Sequence, residues 1–245
     1  MNTSMEHLDR VAAEYHTNES ISDIHIENLC QEYFIQWLIR QIPEDARVLE
    51  LGYGDGLVTA ALAKAGCTLT LVEGAKILID RARLKHPEIE CVHSLFEEFH
   101  ASLTYDVILA SHVLEHVDDP QAILRLVSSW LKEAGRIIAV VPNRNSLHRQ
   151  LAVVMGLQPA LDSLSKRDLL VGHQRVYSLQ TLEQDILAAG LSVIDSCGFF
   201  LKVLPNSMML HYSRDLLRGL NAISATLPKD LLANIAVIVA KNTSA

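Results

Sequence analysis

No apolar run in this sequence approaches the roughly 20 residues that a bilayer-spanning helix requires; the longest late run, Ile235 to Ala240, has strand length. The stretch Met1 to Tyr15 lacks the basic start and apolar stretch of a signal peptide and carries Glu6, Asp9 and Glu14 instead. Neither export nor a membrane partner is expected. Basic residues are in deficit, 21 Lys and Arg against 29 Asp and Glu, for a net charge of −8. Binding to a phosphate backbone draws on clustered positive charge, so nucleic acid is not expected as a partner. Cysteine is sparse: Cys30, Cys67, Cys91 and Cys197 lie far apart with no Cys-x-x-Cys pair, which reads as buried thiols in a reducing compartment. Internal repeats and low-complexity segments are missing, and only Asn242 to Ala245 reads as a loose tail. The expectation is a cytoplasmic protein, monomer or homodimer.

What is present is apolar residue in quantity, 49%, with a mean hydropathy of +0.19. That surplus fits a partly apolar substrate cavity or a dimer face. At 245 residues the chain sits at the upper end of one α/β domain. Helical spacing from Ile26 to Ile42 ends at Pro43, and a short apolar run, Arg47 to Leu51, feeds into glycines. The alternation continues with a helix at about 57–65, a strand at 68–73, a helix at 75–85 and strands at 89–93 and 105–110. A helix at about 119–133 and a strand at 135–141 follow. Such alternation predicts parallel βαβ units with helices on both faces of the sheet. From Arg144 to Tyr177 the pattern loosens around Gly156, Pro159 and Gly172, which suits a helical cap over the strand ends. A helix at 179–189, a strand at Leu191–Phe200, a helical insertion at 205–227 and a closing strand at 235–240 complete the reading. The whole chain, 1–245, is expected to form one domain, with 144–177 and 205–227 as cap segments.

The segment Val48-Leu49-Glu50-Leu51-Gly52-Tyr53-Gly54-Asp55-Gly56 passes from a buried strand through three glycines into a helix. Glycines serve where the chain turns sharply and a ligand must touch backbone amides with no Cβ between. A dinucleotide site has its third glycine one position later, in Gly-x-Gly-x-x-Gly. Here position 57 is Leu. The tighter turn, with Glu50 before it, suits a ligand that has a cationic amino-acid end and no phosphate. About twenty residues on, the second strand ends in Glu73 followed by Gly74, placed to accept hydrogen bonds from two ribose hydroxyls. A nicotinamide oxidoreductase and a non-catalytic binding module on the same fold remain the alternatives.

Together with Val113-Leu114-Glu115-His116-Val117, these motifs resemble the class I S-adenosylmethionine-dependent methyltransferases, and most closely the small-molecule subgroup that includes the ubiquinone-pathway O-methyltransferases. The resemblance is clear over residues 45–142 and weaker over 173–203. It implies a Rossmann-like, mostly parallel seven-stranded sheet whose last strand is inserted antiparallel. It also implies S-adenosylmethionine as methyl donor, S-adenosylhomocysteine as product and a small-molecule metabolite as acceptor, methylated on O, N or C. By the same resemblance Gly52, Gly54 and Gly56 line the methionine and adenosine portion and Glu73 holds the ribose. Ser94, Leu95 and Phe96 lie at the adenine edge, although many relatives have Asp where this chain has Ser94. Ser111 and His112 fall near the methyl donor, and Tyr15 or His16 closes over it.

The run His112 to His116 also matches His-x-x-Glu-His, a zinc-peptidase pattern. It follows a strand directly where the peptidase motif lies within a long helix, so no metal is expected. Glu115 and His116 read as residues that hold the loop. His112 occupies the position that faces the methyl group in relatives, where a neutral imidazole can remove a proton from the acceptor. Candidate acceptor contacts are Asn143, Arg144, His148, His173 and Arg175, with His148 and His173 also catalytic candidates. Arg144 and Arg175 read either as clamps for a substrate carboxylate or phosphate, or as surface charges. His173 reads either as a substrate contact or as a loop anchor. Leu201 to Pro205, with Met208 to Leu210, reads as the apolar wall of the cap or as core.

Overall fold

A computed structural model describes residues 4–15 and 23–242, apart from the side chains of Tyr15 and Ile24. The expected contacts from the Tyr15 side chain and from His16 lie outside the described residues. Seven strands form one sheet: β1 (Arg47–Leu51), β2 (Thr68–Glu73), β3 (Glu90–His93), β4 (Tyr105–Ser111), β5 (Leu131–Pro142), β6 (Leu191–Phe199) and β7 (Asn234–Lys241). Their order is β3-β2-β1-β4-β5-β7-β6. The pairs among β1 to β5 are parallel, and β7 runs antiparallel to both β5 and β6. The sheet is therefore the mostly parallel one expected, with its last strand inserted antiparallel. Six strands consequently end at the same edge.

Alternation along the strands divides the core between the two faces. In β4, Ile108 and Ala110 join one apolar cluster while Val107 and Leu109 join the other. The first cluster is covered by α5 (Pro120–Ser129) and α8 (Leu179–Ala188), through Ile123, Leu124, Leu182 and Ile186. The second is covered by α2 (Ile24–Ile39), α3 (Leu57–Lys64) and α10 (Arg214–Ser224), through Phe34, Leu38, Leu62 and Leu217. Ring stacking of Phe34 on Phe199, with centroids 5.2 Å apart, joins α2 to the end of β6. A third cluster seats α1 (Met5–Tyr15) through Ala12 against Tyr53 and Leu78, the latter from α4 (Lys76–Lys85).

The junction of α5 and β5 departs furthest from the sequence reading. The helix expected to run to 133 ends at Ser129, and Leu131 already pairs with Tyr105 of β4. Asp119 caps the start of α5, accepting from the Ala122 amide at 2.9 Å, with Pro120 in the first turn. At the other end Trp130 is buried edge-on against Phe99, centroids 5.1 Å apart. Tertiary pairing and burial outweigh the helical spacing that continues through Leu131. The loose segment 144–177 holds α6 (Leu147–Val154) and α7 (Lys166–Leu170), and 205–227 holds α9 (Asn206–Met209) and α10.

Candidate active site

The carboxyl ends of the parallel strands open into a cavity of about 1100 Å³. Open α/β sheets present ligand sites at this edge, and the volume exceeds that of an ordinary single-ligand pocket. Gly52, Gly54, Gly56, Glu50, Glu73, Gly74, Ser94, Leu95, Phe96, Ser111, His112, His148 and His173 all line it. Asn143, Arg144 and Arg175 do not.

On one wall, Gly52, Gly54 and Gly56 take φ values of +81°, +52° and +77°. This is the left-handed region in which a Cβ is costly. A Cβ built on Gly52 meets nothing within 4 Å, because it projects into open space. One built on Gly56 lands 2.4 Å from the Tyr53 ring. The two glycines are thus needed for different reasons: one leaves room at the cavity, the other makes room for a buried tyrosine. Glu73, at the end of β2, accepts backbone N–H bonds from Tyr53 at 2.8 Å and Ala75 at 2.6 Å. Those bonds fix its carboxylate at the cavity wall. Glu50 is buried, and its Oε2 has no hydrogen-bond partner among the described residues. Burial, with the nearby Glu73 charge, pushes its carboxyl up to about 8. Its protonated form is favoured at neutral pH.

The next wall carries the histidines. His112 sits just past β4 with φ +55°, an uncommon backbone state for a non-glycine residue. Its Nδ1 lies 3.0 Å from Oε1 of the fully buried Glu115. Desolvation pulls the imidazole pKa down, yet the Glu115 hydrogen bond and charge outweigh it and leave the pKa raised. Burial likewise opposes ionisation of Glu115, and the bond to His112 outweighs it, leaving the carboxyl lowered. With Nδ1 directed to the carboxylate, Nε2 is the nitrogen left to exchange a proton. His116 is driven by burial to about 4 and is neutral; its ring meets that of His173 edge-on, centroids 4.7 Å apart.

The segment 144–177 contributes the facing wall. His173 Nδ1 lies 2.9 Å from Oδ1 of Asp168, and Nε2 lies 4.0 Å from Glu115. The Asp168 carboxylate also accepts from Arg149 at 2.5 Å and from the Ser165 amide at 2.7 Å. Burial works against ionisation of Asp168, but His173, Arg149 and Ser165 hold its pKa far below the ordinary carboxylate range. His148, on α6, has a buried Nδ1 with no partner among the described residues. Burial, reinforced by the charges of Lys202 and Arg149, keeps its pKa well below the ordinary value and the ring neutral.

The three residues outside the cavity are bonded elsewhere. Arg175 donates from Nη1 to the carbonyls of Leu114 (2.8 Å) and Val117 (2.5 Å) and from Nη2 to that of Asp118 (3.2 Å). Asn143 donates to the carbonyls of Asp230 and Leu232, both at 2.9 Å. The Arg144 amide donates to the Tyr177 carbonyl at 2.7 Å. Sequence reasoning placed Lys202 in an apolar wall, whereas the structure places it on the cavity, with Glu27 and Cys30 of α2. The available signal was a lysine inside the apolar run Phe199 to Leu204, directly after the carboxyl end of a strand. Met209, from the same expected wall, is fully buried in the α2 cluster.

The sequence pattern of the methyltransferase domain family matches residues 25–196. A ubiquinone biosynthesis O-methyltransferase of Aeromonas salmonicida is 29% identical over 170 residues, covering 67% of this chain and 70% of the relative. One from Xanthomonas axonopodis pv. citri is 35% identical over 120 residues, covering 46% of this chain. The match spans about half the length of that relative, 49%. Among solved structures, a possible histamine N-methyltransferase of Thermotoga maritima superposes with a TM-score of 0.66 at 17% identity, covering 96% of this chain and all of its own. A mitomycin 7-O-methyltransferase gives a TM-score of 0.61 at 19% identity, covering 98% of this chain and 61% of its own. At these identities the superpositions establish the fold.

Proposed function

This chain belongs to the class I S-adenosylmethionine-dependent methyltransferases, and from that membership we propose that it methylates O, N or C of a small-molecule metabolite. The observation that carries the reading is one cavity with two differently equipped walls. The glycine turn and Glu73 stand at the adjacent ends of β1 and β2, and the His112–Glu115 pair stands at the end of β4.

The cofactor fits the residues present. The open space over Gly52 admits its backbone contact, and the unpartnered buried oxygen of Glu50 accepts a cationic amino-acid end. Glu73, already held by two amides, accepts from ribose hydroxyls; Ser94, Leu95 and Phe96 line the base. When bound, S-adenosylmethionine supplies a methyl group on a sulfonium centre, open to in-line attack. The chain's part is to align the acceptor, exclude water and take up the proton released. In the proposal His112 Nε2 is the base, with Glu115 setting the tautomer, and His148 and His173 contact the acceptor. Residues 144–177 act as the cap. The protein is taken to be cytoplasmic, a monomer or homodimer; among the described residues no helix is long and apolar enough to cross a membrane.

Calorimetry with S-adenosylmethionine and S-adenosylhomocysteine tests the proposal, and absence of binding by either at high micromolar concentration would overturn it. Glu73→Ala is expected to weaken both by tenfold or more, since a charged acceptor is worth about 1.5–3 kcal/mol.

A further inference from the structure

Lys202 emerges past the end of β6, beyond Phe200, a buried aromatic residue held at φ +66°. The Lys202 amide donates to the Phe200 carbonyl at 2.9 Å, closing a tight turn that sets the lysine on the cavity wall. Its ammonium makes no hydrogen bond and no ion pair with any described residue. The other charges at this end are engaged among themselves. Arg167 pairs with Asp23 and lies 3.6 Å from Glu27. Asn206 donates to the same two carboxylates, at 3.0 Å and 2.5 Å. Arg149 pairs with Asp168. Beside Lys202, the neutral His148 lines the cavity with its Nδ1 unpartnered. A half-buried lysine on the cavity wall, with no hydrogen-bond partner among the described residues, calls for a ligand rich in acceptors.

We infer that Lys202, with His148, binds a carboxylate of the methyl acceptor, which is a small monocarboxylic acid. The charges already present decide between a carboxylate and a phosphate. Arg167 is already engaged by Asp23 and Glu27, and Arg149 by Asp168, so the single charge of Lys202 matches one negative charge and leaves the second charge of a dianion unmet. The sheet sets the size. Strand order β4-β5-β7-β6 puts the Lys202 end three strand spacings from the His112 end, or roughly 14 Å between backbones. The acceptor lies between the two ends, with its carboxylate toward Lys202 and the atom to be methylated toward His112.

The inference rests on the methyltransferase reading, and the test separates the two. With the protein saturated in S-adenosylhomocysteine, calorimetry compares benzoate with benzamide, glucuronate with glucuronamide, and benzoate with phenyl phosphate. At least one acid is expected to bind about tenfold or more tightly than its amide, and benzoate more tightly than phenyl phosphate. Lys202→Met should abolish the preference for the acid and leave the S-adenosylhomocysteine affinity within about twofold, since the lysine lies away from the glycine wall. Should that variant fail to fold, labelling of the wild-type Lys202 amine, read by mass spectrometry, replaces it: the preferred acid protects the amine and its amide does not. Equal affinity of acid and amide in both pairs, tighter binding of phenyl phosphate, a preference that survives Lys202→Met, or labelling that the acid leaves unchanged overturns the inference. Failure of S-adenosylhomocysteine to bind at all counts against the methyltransferase reading instead.

Discussion

Gly52 and Gly56 share a backbone conformation and differ in what surrounds them, so their alanine variants should fail differently. Gly52→Ala meets no protein atom. Its stability cost is the left-handed backbone, about 1–2 kcal/mol, while its methyl group occupies the cofactor's space and affinity should fall by more than about tenfold. Gly56→Ala carries the same backbone cost and also strikes the buried Tyr53 ring. An overpacking penalty of about 1–3 kcal/mol is added there. Urea unfolding beside cofactor titration separates the pair; equal stability losses would mean that the tyrosine moves away freely. His112 gives a second test at this scale. Its pKa is raised above the ordinary 6.5 by Glu115 against desolvation, and a base must be deprotonated to act. Turnover should therefore fall on the acid side with a midpoint above 6.5, and Glu115→Gln should move that midpoint to lower pH. His112→Ala should lower kcat by about 10²–10⁴-fold, with cofactor affinity nearly unchanged. A pH–rate profile that ignores both substitutions would remove His112 from the chemistry.

At the scale of elements, residues 172–177 are stitched to the turn after β4. Arg175 holds three carbonyls there, and Gln174 binds the turn through its amide to Glu115 O (2.8 Å) and its side chain to His116 O (2.6 Å). Only a planar fork of N–H groups satisfies carbonyls spread in this way. Arg175→Lys should cost about 1–3 kcal/mol, and hydrogen exchange should quicken at the amides of 114–118; unchanged exchange would show that Gln174 suffices. These contacts also mark where the sequence stops being readable. The strands, the glycine turn and Glu73 were legible because each is written in a few consecutive residues whose spacing reports local geometry. The placing of Ser94, Leu95 and His112 on the cavity followed because they come directly after the carboxyl ends of strands. The role of Arg175 was not legible, since its partners lie about 60 positions earlier and are backbone atoms that no side chain advertises. Asp168 was not legible for another reason: Ser165, His173 and Arg149 are its neighbours in sequence, but they converge on its carboxylate only once the segment has folded back. Beyond the sharp turn and the approach of a ligand, Gly56 has a further need, room for the Tyr53 ring, that appears only once the turn is built.

For the whole molecule, the buried acid at the cavity couples folding, pH and ligand. Glu50 in the folded chain keeps its proton to about 8, against an ordinary value of 4.5. Between those values the folded state binds more protons than the unfolded state, so this group makes stability fall as pH rises through the interval, with no further change above it. Glu50→Gln preserves the shape and removes the ionisation. Without cofactor, the variant and the wild type should melt together near pH 5. At pH 8.5 the variant should melt higher by more than about 4 °C, given that 1 kcal/mol moves Tm by about 2–4 °C in a chain of this size. A cationic ligand beside Glu50 lowers the carboxyl pKa again, so at pH 7 cofactor binding should expel a proton. Calorimetry in two buffers of different ionisation enthalpy reads that proton directly: the apparent heats should differ for the wild type and agree for Glu50→Gln. Equal heats for the wild type would mean that Glu50 stays protonated under the bound cofactor, and that the cation is met by another group.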